Sequence, residues 1–258
     1  MDKILISIGP IKIYWYSLTM LLAILTGMYL TFRESKKQNL NSFFEDLAYQ
    51  LIIFGIIGAR LYYVIFNFAS YRYDLLGIFR IWEGGLAIYG AIIAGFVVIV
   101  YNCKKYHHSI IKTTDTIVPG LILAQAIGRW GNFFNQEAHG TDVSLSFLES
   151  LHLPKFIIEG MYINGSYYHP TFLYESIWCI LGFLILILIR KLSHRKWSIL
   201  TFCYFIWYGF GRLFIEGLRT DSLYLGSIRV SQLVSLLLIV IGLIGLIFTF
   251  LKERRNKK

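Results

Sequence analysis

The sequence predicts an all-α polytopic membrane protein with about seven transmembrane helices, and three observations carry that expectation. Of its 258 residues, 56% are hydrophobic and only 16% are charged; a soluble domain usually has about 25% charged and 45–50% apolar residues. The mean hydropathy is +0.59. The long apolar stretches are apolar all round instead of striped, which suits lipid on every side better than one face on a soluble core.

Seven spans can be drawn in order, each near the ~20 residues a bilayer needs: approximately 13–32, 44–66, 84–103, 115–133, 170–189, 198–217 and 230–251. The first begins near Ile13 and runs into RESKK without a small-residue cleavage site, so it is expected to be a retained helix and not a signal peptide. The second carries Arg60 within its apolar run, where a structural or supporting role is expected. The third opens on WEGGLAIYGAIIAG, whose Gly84, Gly85, Gly90 and Gly95 allow a helix, loop or lipid chain to lie close. The fourth ends in the polar stretch GRWGNFFNQEAHG, Gly128 to Gly140. The fifth follows HPTFLYE, and the sixth holds YGFGRLFIEGLRTD. A single integral membrane domain over 1–258 is expected, with a small outer head in the loop around 134–169.

Lysines and arginines orient the spans, because cytoplasmic loops are enriched in them. With the N-terminus outside, the inner segments hold Arg33, Lys36, Lys37; Lys104, Lys105, Lys112; Arg190, Lys191, Arg195, Lys196; and Lys252, Arg254, Arg255, Lys257, Lys258. Those are 15 of the 25 basic residues, against 7 in outer segments. The expectation is therefore N-terminus outside, C-terminus cytoplasmic. The same distribution disposes of a nucleic-acid reading of the +10 net charge, since the basic residues form short clusters between apolar runs and no continuous stripe. Cys103, Cys179 and Cys203 make an odd number with no CxxC, so neither a disulfide framework nor a metal site is expected, and no cofactor is called for.

This topology gathers the intramembrane polar residues in the outer half. Charges there are costly, about 2.5–3.5 kcal/mol on insertion scales, so they face a cavity or a partner. Helical spacing puts Arg129, Asn132 and Gln136 on one face, and Arg212, Glu216 and Arg219 on another. One glutamate cannot neutralise two arginines, so an external anion is expected to complete the balance, and planar guanidinium forks suit a phosphate. The bland reading of the same residues is a helix-packing patch with a buried polar network. Tyr16 and Tyr89 are polar enough to hydrogen-bond, though interfacial-belt tyrosines are common.

Several of these stretches resemble the bacterial prolipoprotein diacylglyceryl transferases. GRWGNFFNQEAHG matches the family signature G-R-x-G-N-F-x-N-x-E-x-x-G. SIGP…WYSL, GARLYY, WEGGLAIYG, HPTFLYE and GRLFIEGLRTD match in the same order across nearly the whole chain. The resemblance implies a transferase of the bacterial cytoplasmic membrane with its active site toward the outer leaflet. It would move the diacylglyceryl group of phosphatidylglycerol onto the lipobox cysteine of a prolipoprotein signal peptide. A thioether forms and glycerol phosphate leaves. It implies catalytic roles for Arg129, Arg212, Tyr16, Glu137 and Glu216, and phosphatidylglycerol contacts from Arg129, Asn132, Gly140, Arg212 and Tyr89. Many members carry histidine at the position of Tyr89, and a phenol with pKa about 10 is a poor base at neutral pH. Glu137 or a lipid phosphate oxygen is left as the acceptor of the thiol proton.

Two other classes use intramembrane polar residues. A transporter of an anionic solute also carries arginines but is expected to show inverted repeats or paired broken helices, which this sequence lacks. A hydrolase needs a nucleophile with its base at membrane depth, whereas His107, His108, His139, His152, His169 and His194 fall in loops or at edges.

Overall fold

The computed structural model describes residues 3–9, 11–192 and 199–255. Pro10 of the SIGP stretch, His194, Arg195, Lys196, the expected start of the sixth span at Ser198, Lys257 and Lys258 lie outside the described residues. Seven long helices occur in the expected places: α1 Trp15–Lys36, α2 Asn41–Phe66, α4 Ile88–Lys105, α5 Ile110–Asn135, α8 Thr171–Leu192, α9 Leu200–Ile215 and α10 Val230–Arg255. Short helices α3 Phe68–Tyr71, α6 Leu145–Ser150 and α7 Lys155–Gly160 lie between them. Six of the long helices are long and apolar enough to cross a bilayer, and α9 is not among them.

Among the described residues, six helices are thus candidate membrane spans by length and composition. The 16 residues of α9 span about 24 Å at 1.5 Å per residue, short of a ~30 Å hydrocarbon core. The helix ends at Ile215, and a 3-10 turn Glu216–Leu218 takes over. The third span also starts later than expected, at Ile88, because Gly84 and Gly85 adopt φ +92° and +75°. The fourth runs further, since GRWGNFFN remains helical to Asn135.

The fold is mostly helical and not purely α. Turn-rich connections pair as strands: β1 Ile4–Ile8 with β2 Ile11–Tyr14, and β6 Tyr224–Leu225 with β7 Ile228–Arg229. In the connection before α8, β3 Asp142–Val143, β4 Tyr162–Ile163 and β5 Ser166–Tyr168 form an antiparallel sheet ordered β3-β5-β4. Leu148, Ile157 and Met161 pack there against Phe133 and Phe172 from the ends of α5 and α8. The loop around 134–169 thus holds short strands and helices that share a core with the ends of α5 and α8. Backbone groups excluded from helices must still find partners, and short ladders supply them.

The chain divides into two compact units, residues 1–30 with 117–258, and residues 31–116. In the larger, Val118, Ile122 and Ala126 of α5 meet Cys179 and Leu186 of α8 and Leu200 and Tyr204 of α9. On α10 the large side chains Leu237, Ile244 and Phe248 are exposed, as a lipid-facing helix requires. In the smaller unit, α2 and α4 cross at Gly58 and Gly90, where a Cβ on Gly58 would lie 2.6 Å from the Gly90 carbonyl oxygen. Gly90 is therefore a helix-packing residue. Arg60 is 6% exposed, and its Nε donates to the Ile78 carbonyl at 2.8 Å. Its Nη1 donates to Gly84 at 2.7 Å and Gly85 at 3.0 Å, and its Nη2 donates to Gly77 at 2.7 Å. The guanidinium is saturated by main-chain carbonyls and pins the loop that precedes α4.

Candidate active site

Three helices of the larger unit bring charged residues to one place. α8 begins immediately after the buried Pro170, which suits a helix start because its missing N–H would have had no helical partner. One turn further, α8 presents Glu175, 5% exposed. Arg129 of α5 places Nε 2.5 Å from Glu175 Oε2, and Arg212 of α9 places Nη1 2.7 Å from Glu175 Oε1. Arg212 also reaches back one turn, its Nη2 lying 2.6 Å from Oε2 of the buried Glu216. That contact is an ion pair off the N–H axis, not an aligned hydrogen bond. Arg219, beyond the 3-10 turn, lies with Nη1 3.6 Å from Glu175 Oε1 and holds Asp221 through Nε and Nη2 at 2.9 and 2.8 Å.

Arg129, Arg212 and Arg219 therefore face Glu175, Glu216 and Asp221. The expectation of arginines with few fixed acids is corrected, for the cluster carries as many carboxylates as guanidinium groups. For Glu175 and Glu216 the physical reason is burial, because charges held away from water must be paired, while the half-exposed Asp221 pairs with Arg219 at the edge. Burial pushes the Asp221 carboxyl up, but the Arg219 fork outweighs it and holds the carboxyl below its ordinary value.

Two expectations of shared helical faces also give way. Arg219 reaches the cluster on extended backbone, since α9 ends at Ile215. Gln136 follows the last residue of α5 with φ +53°, and its amide turns away to the Gly160 carbonyl at 3.2 Å. Arg129 and Asn132 keep their helical places. Asn132 donates Nδ2 to Glu137 Oε1 at 3.1 Å, and Asn135 donates to Oε2 at 3.4 Å. No guanidinium among the described residues pairs with Glu137, so two amides alone orient that carboxylate. Gly131 lets the Tyr16 ring cross α5, for a Cβ there would meet Tyr16 Cδ2 at 2.9 Å. Tyr16 interacts electrostatically with both Glu137 and Arg129.

Gly140 lies where three segments of chain are knitted together. Its N–H donates to the His169 carbonyl, and Thr141 N–H donates to Leu218, both at 3.1 Å. A Cβ on Gly140 would stand 2.6 Å from His169 Cβ. Close backbone approach is the use this structure makes of it. Burial holds the His169 imidazole below its ordinary value. Tyr89 belongs to the smaller unit, at the start of α4, with its ring tilted 6.4 Å from that of Tyr62.

Sequence reasoning gave no role to Glu175 or Arg229. The first had a signal, being a lone acid one turn inside an apolar helix. The second had none, because its action is on main chain: Arg229 Nη1 donates to the Glu216 carbonyl at 2.5 Å and Nε to Tyr224 Oη at 3.0 Å. Cys179 is nearer the cluster than expected, one turn along α8 from Glu175 and within the field of Arg129. It nonetheless packs as a small apolar filler among Val118, Ile122 and Ala126. A triple Cys103→Ala, Cys179→Ala, Cys203→Ala variant is expected to insert and turn over at near wild-type rate. Mass spectrometry of the wild type during turnover should find no lipid on any of the three; an adduct would mean a covalent enzyme intermediate.

The family model described as prolipoprotein diacylglyceryl transferase matches residues 3–248. The chain is 47% identical over 252 residues to the phosphatidylglycerol–prolipoprotein diacylglyceryl transferase of Ligilactobacillus salivarius, covering 96% of this chain and 93% of that protein. It is 49% identical over 253 residues to the protein of that name from Staphylococcus aureus strain Newman, covering 97% and 90%. With the signature stretches in order and likeness over nearly its full length, the chain belongs to the prolipoprotein diacylglyceryl transferase family.

Proposed function

We propose that this membrane transferase moves the diacylglyceryl group of phosphatidylglycerol to the lipobox cysteine of a prolipoprotein signal peptide, with Arg129 and Arg212 holding the lipid phosphate. The observation that carries the site assignment is the convergence of both guanidinium groups on Glu175. Arg129 is fixed by Glu175 and Arg212 by Glu175 and Glu216 together, and a guanidinium with five N–H donors still has others to offer an anion.

The reaction breaks the bond from the diacylglyceryl carbon to a phosphate oxygen and forms a sulfur–carbon bond. The thiol proton is lost, and glycerol phosphate departs with the bonding pair. Negative charge grows on the leaving oxygen, where prefixed guanidinium groups stabilise it without reorganising. Glu137 is the carboxylate we assign to the proton, because two amides orient it and no guanidinium among the described residues is paired with it. Glu216 and Glu175, both paired to arginine, position the forks. Asn132 acts by orienting Glu137, and Tyr16 closes the site from α1. Gly140 supports the site by close packing. The lysine and arginine bias of the loops supports N-terminus outside, with the active site toward the outer leaflet of a bacterial cytoplasmic membrane.

Incubating the purified protein with phosphatidylglycerol vesicles and a lipobox peptide should yield the thioether and free glycerol phosphate. Absence of both products, with uptake of an anionic solute into proteoliposomes, would replace this reading with a transporter. Tyr89, assigned to lipid contact and not to proton transfer, gives a second check. Tyr89→Phe is expected to keep a substantial fraction of activity with an unchanged pH–rate profile, whereas loss of a general base costs about 10²–10⁴ in rate.

A further inference from the structure

Glu175 sits on α8 between two ties that bind this helix to its neighbours. Ser176 Oγ donates to the Ala126 carbonyl at 3.0 Å, one turn before Arg129 on α5. On the other side, Trp178 Nε1 donates to the Trp207 carbonyl of α9 at 2.9 Å, and Trp207 Nε1 donates to the Trp178 carbonyl at 2.9 Å. The two indoles stack, with centroids 4.3 Å apart and planes 16° from parallel. Gly182 and Gly211, each four residues after one of the tryptophans, provide the notches: a Cβ on Gly182 would overlap the Trp207 ring, and one on Gly211 the Trp178 ring.

Glycine notches and interhelical hydrogen bonds often serve only as membrane glue. Two features of this pair go further. A stacked ring in a notch can slide along a helix axis, but an N–H fixed on a main-chain carbonyl cannot, and here the fixing is reciprocal. The pair also stands three residues from Glu175 and five from Arg212, beside the contact between them. Axial slip of one residue is about 1.5 Å, enough to break a 2.7 Å ion pair.

We infer that Trp178 and Trp207 are positioning residues: a reciprocal register lock that sets Glu175 of α8 against Arg212 of α9 for diacylglyceryl transfer. The inference rests on the reading of the arginine–glutamate cluster as the phosphate-holding centre. Each indole spends its single polar atom on the neighbouring backbone, so the ring supplies packing and the N–H supplies register. The two contributions are separable.

The test uses the full-length enzyme in phosphatidylglycerol vesicles with a lipobox peptide. Trp178→Phe and Trp207→Phe are each expected to lower kcat about tenfold while KM for the lipid stays within about twofold, since misplacement by ~1 Å alone can cost 10²-fold. Benzothienylalanine at position 178, which keeps the ring shape and replaces N–H by sulfur, should show the same loss. A double-mutant cycle should show Trp178→Phe adding little to Glu175→Gln, because no ion pair then remains to be positioned. Wild-type kcat per folded molecule in the benzothienylalanine variant, or losses that multiply with Glu175→Gln, would overturn the lock. Should the phenylalanine variants fail to fold, the benzothienylalanine variant alone decides; its failure to fold would make the pair a folding element and also overturn the lock. A wild type that forms no thioether would instead sink the reading of the site.

Discussion

Arg212→Lys is expected to lower the rate of diacylglyceryl transfer by about 10²–10³-fold, the usual effect of removing one preorganised donor at a developing negative charge. The charge is retained in this variant, so the loss isolates geometry. Arg212 meets Glu175 through Nη1 and Glu216 through Nη2 simultaneously, and a lysine has one nitrogen with which to do so. If it keeps Glu175, the buried Glu216 loses its arginine; if it keeps Glu216, Glu175 is left to Arg129 and Arg219; in either case nothing remains in plane for a phosphate. Arg129→Lys should fall in the same direction, because Arg129 meets Glu175 through Nε and the fork that a lysine lacks is assigned to the lipid. Rates of both variants with phosphatidylglycerol and a lipobox peptide decide the matter. Turnover near wild type in either would end the phosphate-clamp assignment.

Glu175→Ala is expected to be worse still, since it harms folding as well as catalysis. Removing one member of a buried ion pair leaves an uncompensated charge and costs about 3–5 kcal/mol. Here a single carboxylate contacts Arg129 and Arg212, with Arg219 at the edge. Deleting it sets three guanidinium groups against one another. The melting temperature in detergent should drop by several degrees and transfer should fall below detection. Glu175→Gln, which keeps a hydrogen-bond acceptor of the same shape, should recover much of the stability and little of the rate. A Glu175→Ala enzyme that melts and turns over as the wild type does would show that the two arginines are held by other means.

Much of this was legible before the fold was known. Long stretches apolar on all sides locate the helices because lipid imposes a single requirement on them. Arg129 and Arg212 stood out because a charge within an apolar run needs a partner. What the pattern could not supply was the partner itself. Glu175 joins its arginines across sequence separations of 46 and 37 residues, and periodicity speaks only of neighbours three or four apart. The errors at Gln136 and Arg219 have one origin, the continuation of a 3.6-residue period past a helix end. Gln136 takes a positive φ and Arg219 an extended backbone, and only α9 has a glycine, Gly217, just past its end as a stop signal. Arg60 was legible as a supporting charge, but its acceptors are carbonyls, which carry no side-chain signature.

The equal numbers of guanidinium and carboxylate groups around Glu175 bear on how turnover ends. A phosphodiester headgroup arrives with about one negative charge, and the monoester that leaves carries up to two. A cluster with a large positive excess would grip the leaving dianion harder than the arriving diester, and product inhibition would follow. On the proposed assignment, with Glu175, Glu216 and Asp221 already balancing their arginines, the forks would act on the oxygen they face at short range, while the cluster as a whole would offer a departing dianion no deep electrostatic well. Glycerol phosphate can then escape to water at the pace of the chemistry.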